Sequence, residues 1–233
     1  MTDRLSRGGK KMWCVPDITP EFTQRMEHIL DLYAMPYNPQ EPLLCFDEKS
    51  IQLLEDTHRV SQTKEGIVRK RDYEYKRNGT ANIFVAVEPQ AGFRTTRVTN
   101  RRTKKDFAHE IWRIATLPRY RHAHRIRIVL DNLNTHYASS LIETFREEKT
   151  KKIMKRIVFH YTPKHASWLN MAEIEISILS RQCLKQRIPS AEKLREKLAF
   201  WQKRRNHRKE KIQWRFTKQD ARNVFKYSPT KLI

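Results

Sequence analysis

The sequence predicts an α/β fold, a mixed sheet with helices on both faces. Two observations carry this. The early strands follow one another as a hairpin meander, whereas the later ones alternate with helices. The 233 residues are 38% hydrophobic and 10% aromatic, enough apolar material for a core.

The elements follow in order. Thr19 to Leu32 reads as a helix: Thr19 is a fitting N-cap, Pro20 takes the first helical position, and Phe22, Met26, Ile29, Leu30 and Tyr33 recur at helical spacing. Leu43 to Phe46 is a short apolar run after Pro42, hence a buried strand ending at Asp47 and Glu48. Asn82 to Glu88, a Pro-Gln-Ala-Gly turn and Phe93 to Val98 form a hairpin. Thr103 to Thr116 is a helix with Phe107, Ile111 and Ile114 on one face. Arg125 to Leu130 is a strand that ends at Asp131. A helix is expected from Tyr137 to Glu148, then a strand at Ile157 to Phe159. Helices at Leu169 to Cys183 and Ala191 to Asn206 complete the pattern, and Ile212 to Ile233 carries no clear period.

Charge narrows the function. Lys and Arg number 48 against 26 Asp and Glu, a formal charge of +22. A surplus of that size favours a polyanionic partner, and nucleic acid stands ahead of a membrane surface because no basic amphipathic helix has a clean apolar face. No apolar run approaches the roughly 20 residues of a spanning helix, and no apolar segment follows the basic N-terminus as in a secretory signal. Cys14, Cys45 and Cys183 stand far apart, which argues against a zinc ribbon and fits a reducing, cytoplasmic location. Basic runs such as Arg69-Lys70-Arg71, Arg101-Arg102, Lys155-Arg156 and Lys203-Arg204-Arg205 are spread along the chain. Together they suggest phosphate contacts on several sides.

In so basic a chain the positions of the acids are informative. Asp47 and Asp131 each follow a strand whose neighbours predict burial, and a buried carboxylate needs a cation, hydrogen bonds or a proton. If the two strands are adjacent and parallel, the carboxylates converge at the strand ends, where open sheets collect ligands. Such a pair suits Mg²⁺, and a third acid would complete a two-metal site for phosphodiester chemistry. Glu173 and Glu175 flank opposite edges of the apolar stripe of their helix, so periodicity does not choose between them.

Three blocks carry a family resemblance: Phe46-Asp47-Glu48; Leu130-Asp131-Asn132-Leu133-Asn134-Thr135-His136; and Thr162 to Glu173, with its Ser167-Trp168-Leu169-Asn170 core. They resemble the catalytic motifs of mariner-like transposases, closest to the bacterial insertion-sequence branch with a DDE-type domain. The resemblance implies a ribonuclease-H-like fold, a mixed five-stranded sheet flanked by helices. It implies an N-terminal linker and helix over 1–40, a catalytic domain over 41–211 and a C-terminal extension over 212–233. It implies a polynucleotidyl transferase that hydrolyses a phosphodiester at an element end and joins the freed 3′-hydroxyl to target DNA, with two Mg²⁺ ions, or Mn²⁺ in their place. Asp47, Asp131 and Glu173 match the metal-binding catalytic acids, which leaves Glu175 a supporting role. DNA is the implied partner and a homodimer the implied active form. Such transposases carry a helix-turn-helix reader ahead of the catalytic part, whereas here one helix precedes Asp47. The expectation is therefore a truncated or frameshifted copy, and the alternative function is a non-catalytic, nucleic-acid-binding transposase remnant.

Seven further residues are expected near the metal or the DNA: Glu48, Asn132, Asn134, His136, Lys164, His165 and Asn170. The Asn amides suit a phosphate or a ligating carboxylate, and His136 suits a scissile phosphate or a water. Equally, Asn134 or Thr135 suits the cap of the next helix. Lys164 and His165 read either as backbone contacts to DNA or as an exposed basic loop.

Overall fold

The computed structural model describes residues 18–57, 74–133 and 135–228. Cys14, the Arg69-Lys70-Arg71 run and Asn134 lie outside the described residues.

Five strands form one mixed sheet in the order β3-β2-β1-β4-β5. β1 (Leu43–Asp56), β2 (Tyr75–Glu88) and β3 (Phe93–Thr99) form the antiparallel meander. β4 (Ile126–Leu130) and β5 (Ile157–Tyr161) join parallel to β1. The strands alternate faces as pleating demands. Leu44 and Phe46 on β1 and Ile126, Ile128 and Leu130 on β4 pack against α2 (Lys104–Ala115), α3 (Ala138–Thr144) and α4 (Glu147–Met154). Cys45, Val87 and Val129 face α1 (Pro20–Ala34) and the start of α5 (Met171–Gln182). Ile83 and Val85 face the rest of α5 and α6 (Ala191–His207). Helices thus cover both faces, as the sequence predicts.

Local rules explain most boundaries. Thr19 Oγ1 accepts the Phe22 N–H at 3.2 Å, with Pro20 opening α1. Thr103 and Asp106 form a reciprocal capping box on α2. Three expectations change. First, β1 does not end at Phe46: it continues to Asp56, paired with the exposed first half of β2, so Asp47 and Glu48 sit in mid-strand. The polar tail conceals this continuation because its far end lacks the apolar signature of a core strand. A bulge between Gln52 and Leu54 breaks the register, and Gly79 beside it takes φ +96°, a conformation suited to glycine. Second, the helix expected over Tyr137 to Glu148 is two helices, with extended Phe145 and Arg146 between them. Glu147 and Glu148 open α4, where their charge complements the helix N-terminus. Third, the C-terminal stretch holds α7 (Lys218–Phe225), and Trp214, Phe216 and Phe225 pack around Trp168 in the α1 cluster. No helix among the described residues is long and apolar enough to cross a membrane.

Candidate active site

β1 and β4 are parallel neighbours with Cys45 opposite Val129. Two residues beyond that pair on each chain stand Asp47 and Asp131. The adjacency assumed from sequence is therefore present. Asp47 is 8% exposed, and the Asp131 side chain 24%. Glu173 lies exposed in the first turn of α5, on the same side of the sheet as Asp47.

The three carboxylates feel one another. Burial pushes Asp47 up to about 8; the charges of Glu173, Asp131 and Glu48 add to the rise, against the Glu48 N–H that Asp47 accepts at 2.7 Å. Glu173 is raised by partial burial and by Asp131, while Lys49 opposes the shift. Among the described residues no three His, Cys, Asp or Glu side chains close on one point as metal ligands. The donors are anionic oxygens only, which fits hard divalent cations and no soft metal.

His136 is 1% exposed and sits behind Asp131. Its Nδ1 donates to Asp131 Oδ1 at 2.6 Å, and its Nε2 lies 3.0 Å from Glu48 Oε2 as an ion pair without full hydrogen-bond alignment. Burial opposes a charge on the ring, but the two carboxylates outweigh it and lift His136 to about 9. The ring faces inward, near the core rings of Phe107 and Phe46 at 4.9 and 5.8 Å, and meets Asp131 from inside the fold, one of the two places expected for it. The capping expectation also changes: Tyr137 occupies the N-cap of α3 without a side-chain bond, and Thr135 contributes only its carbonyl, to Ser140.

The other expected residues divide between surface and scaffold. Asn170 is fully buried: Nδ2 donates to the Phe46 carbonyl at 2.8 Å, and Oδ1 accepts the Ala172 N–H at 3.1 Å. Asn132 donates to the Thr162 carbonyl and accepts from Arg25 at 3.4 Å, so it ties the ends of β4 and β5 to α1. Lys164 and His165 are exposed on the loop before α5, and His165 takes φ 60°. Glu48 lies on the opposite face of β1 from Asp47, with its side chain 2% exposed.

The edge of α5 left undecided by periodicity is decided by partners. Glu175 is fully buried and accepts from Arg94 Nε at 3.0 Å and Arg205 Nε at 2.9 Å. Arg94 also donates to the Gly92 carbonyl at 2.8 Å and to that of Glu210. Sequence reasoning missed this network. Arg94 occupies an inward position of a predicted strand, a signal that a buried acid waits opposite. Two arginines of the basic runs point inward: Arg205 is 3% exposed and paired with Glu175, and Arg156 donates to the Ala115 carbonyl at 2.6 Å.

Comparison with known proteins agrees with this architecture. The family model described as "DDE superfamily endonuclease" matches residues 42–195. No curated protein matches the chain. Among solved structures, a Mos1 transposase paired-end complex with the left transposon end superposes with a TM-score of 0.55 at 14% identity, over 89% of this chain and 64% of that one. A Mos1 mariner paired-end complex with Mn gives 0.54 at 13% identity, over 90% and 64%. A pre-cleavage Mos1 transpososome gives 0.54 at 13%, over 89% and 64%. The chain thus spans less than two thirds of the length of these neighbours, and at such identities the likeness is one of fold: the ribonuclease-H-like arrangement of a mixed five-stranded sheet flanked by helices. With the family model covering well over half of its residues, the chain belongs to the DDE superfamily of endonucleases.

Proposed function

We propose that this chain is the catalytic domain of a DNA transposase of the bacterial insertion-sequence branch. It hydrolyses a phosphodiester at an element end and transfers the freed 3′-hydroxyl to target DNA. The observation that supports this reading is that the parallel strands β1 and β4 carry Asp47 and Asp131 at neighbouring ends, with Glu173 in the first turn of α5 near enough for its charge and that of Asp131 to raise Asp47.

In this reading Asp47, Asp131 and Glu173 hold two Mg²⁺ ions, or Mn²⁺, which when bound supply charge stabilisation for the attacking and leaving oxygens. The chain's own residues do the rest. Asn170 keeps Glu173 at the level of Asp47, and His136 holds Asp131 from behind. The +22 charge draws the DNA backbone to the acidic centre without reading sequence. Mos1 structures of similar fold are complexes with a transposon end, with Mn and with Mg, which supports DNA and divalent cations here. The catalytic unit is 41–211, flanked by 1–40 and 212–233. It acts as a homodimer on paired ends and works in the cytoplasm, on the nucleoid.

The test is plasmid nicking with purified protein. Asp47→Asn, Asp131→Asn and Glu173→Gln should each abolish Mg²⁺-dependent nicking while retaining salt-sensitive DNA binding. A parent chain that binds DNA but never nicks it would establish the non-catalytic remnant instead.

A further inference from the structure

A fourth acid stands beside the proposed metal centre and has no place in it. Glu48 projects from the face of β1 opposite Asp47, into the layer of Phe46 and Phe107, where its side chain is 2% exposed. Leu44 and Phe46 precede it on that face, so an apolar residue would continue the core at that position. A buried ionic pair of this kind is often no more stabilising than apolar residues of the same volume. Its presence is better explained by what its partner does than by stability.

That partner is His136. The ring lies between two carboxylates, Nδ1 at 2.6 Å from Asp131 Oδ1 and Nε2 at 3.0 Å from Glu48 Oε2. Phe107 lies tilted against the ring at 4.9 Å, Phe46 meets it edge-on at 5.8 Å, and Tyr161 holds the backbone through a 3.0 Å bond to the His136 carbonyl. At Asp131, the Leu133 N–H also goes to Oδ1, at 3.4 Å, which leaves Oδ2 for a cation. Arg102 reaches Glu48 Oε1 at 3.5 Å from the surface.

We propose that Glu48 is a positioning residue for the metal centre: through His136 it fixes which oxygen of Asp131 is presented to the cation. This rests on the reading of Asp47, Asp131 and Glu173 as metal ligands. Glu48 itself does not touch the metal, because successive residues of a strand point to opposite faces. Partners that orient a metal ligand from behind typically change metal affinity by about 10–100-fold when removed.

Calorimetric titration of the full chain with Mn²⁺ alone, without DNA, tests this. Glu48→Gln, which keeps the side-chain volume, should weaken Mn²⁺ binding by about tenfold. The double variant Glu48→Leu/His136→Phe replaces the polar pair by an apolar one; it should melt close to the parent yet bind Mn²⁺ at least as weakly as Glu48→Gln. A double variant that binds Mn²⁺ like the parent would reduce Glu48 and His136 to core filling, and an unchanged Glu48→Gln would overturn the inference directly. A second readout needs no metal. The ring protons of His136, shifted by Phe107, should give one sharp set of NMR signals in the parent and moved or broadened signals in Glu48→Gln. If the parent binds no Mn²⁺, the metal reading fails, and the ring signals alone then decide whether Glu48 orients His136.

Discussion

Asn170 and Phe46 are joined across the acidic centre. The Asn170 amide donates to the Phe46 carbonyl at 2.8 Å, and its oxygen caps the first turn of α5 through the Ala172 N–H at 3.1 Å. Phe46 immediately precedes Asp47, and Asn170 stands three residues before Glu173. One side chain therefore locks the spacing of two acids that are far apart in sequence. Asn170→Ala loses an N-cap, about 1 kcal/mol, and strands a buried carbonyl, about 1–3 kcal/mol. Asn170→Asp retains the cap acceptor but cannot donate to Phe46. Both variants should lose stability in urea unfolding, with nicking falling further than the unfolded fraction accounts for.

Glu173 and Glu175 are expected to behave oppositely. Glu173→Gln should melt close to the parent and lose metal-dependent nicking. Glu175→Gln leaves Arg94 buried without its counter-charge and Arg205 with Glu210 alone, a loss on the order of 3–5 kcal/mol for a broken buried pair. Thermal melts and nicking assays on the two variants, side by side, check this; a stable Glu175→Gln would refute the structural assignment.

Gly92 admits no side chain. It has φ +66°, and a Cβ would stand 2.3 Å from the Lys209 carbonyl oxygen. Gly92→Ala must twist the β2–β3 turn away from the end of α6, and a loss of about 2 kcal/mol or more is expected in urea unfolding. The change also disturbs Arg94, whose guanidinium donates to the Gly92 carbonyl.

Acid should destabilise the fold through His160. Burial, with the charges of His28 and Arg127, holds its imidazole down at about 4. His28 Nε2 lies 2.8 Å from His160 Nδ1, which joins α1 to β5. Above the ordinary imidazole value of 6.5 both folded and unfolded chains keep His160 neutral, and stability does not depend on it. As pH falls from 6.5 towards 4 the unfolded chain takes up a proton that the folded chain refuses, so stability declines. In His160→Gln the decline of melting temperature over that window should be shallower.

Much of this fold is written locally. Thr19-Pro20-Glu21 specifies the start of α1, and the Pro-Gln-Ala-Gly turn specifies the β2–β3 hairpin, because caps and turns act over three or four residues. Asp47 and Asp131 stand out in the sequence because each follows an apolar run in a chain poor in acids. The true length of β1 does not stand out. Its second half is held by pairing with β2, and exposed pairing leaves little apolar pattern. The division between α3 and α4 is also hidden, since Glu147 and Glu148 suit a helix interior as well as a helix start.

By itself, then, the sequence determined the α/β layering, the two strand-borne aspartates and the pull towards a polyanion. Tertiary structure decided which acid of α5 faces them. Helical periodicity places Glu173 and Glu175 at symmetric edges of one stripe, so nothing local distinguishes them. The rotation of α5 is set from outside: Phe46 grips its N-terminus through Asn170, while Arg94 and Arg205 draw Glu175 into the core. His136 was decided the same way, for its burial between Glu48 and Asp131 depends on two strands meeting in space.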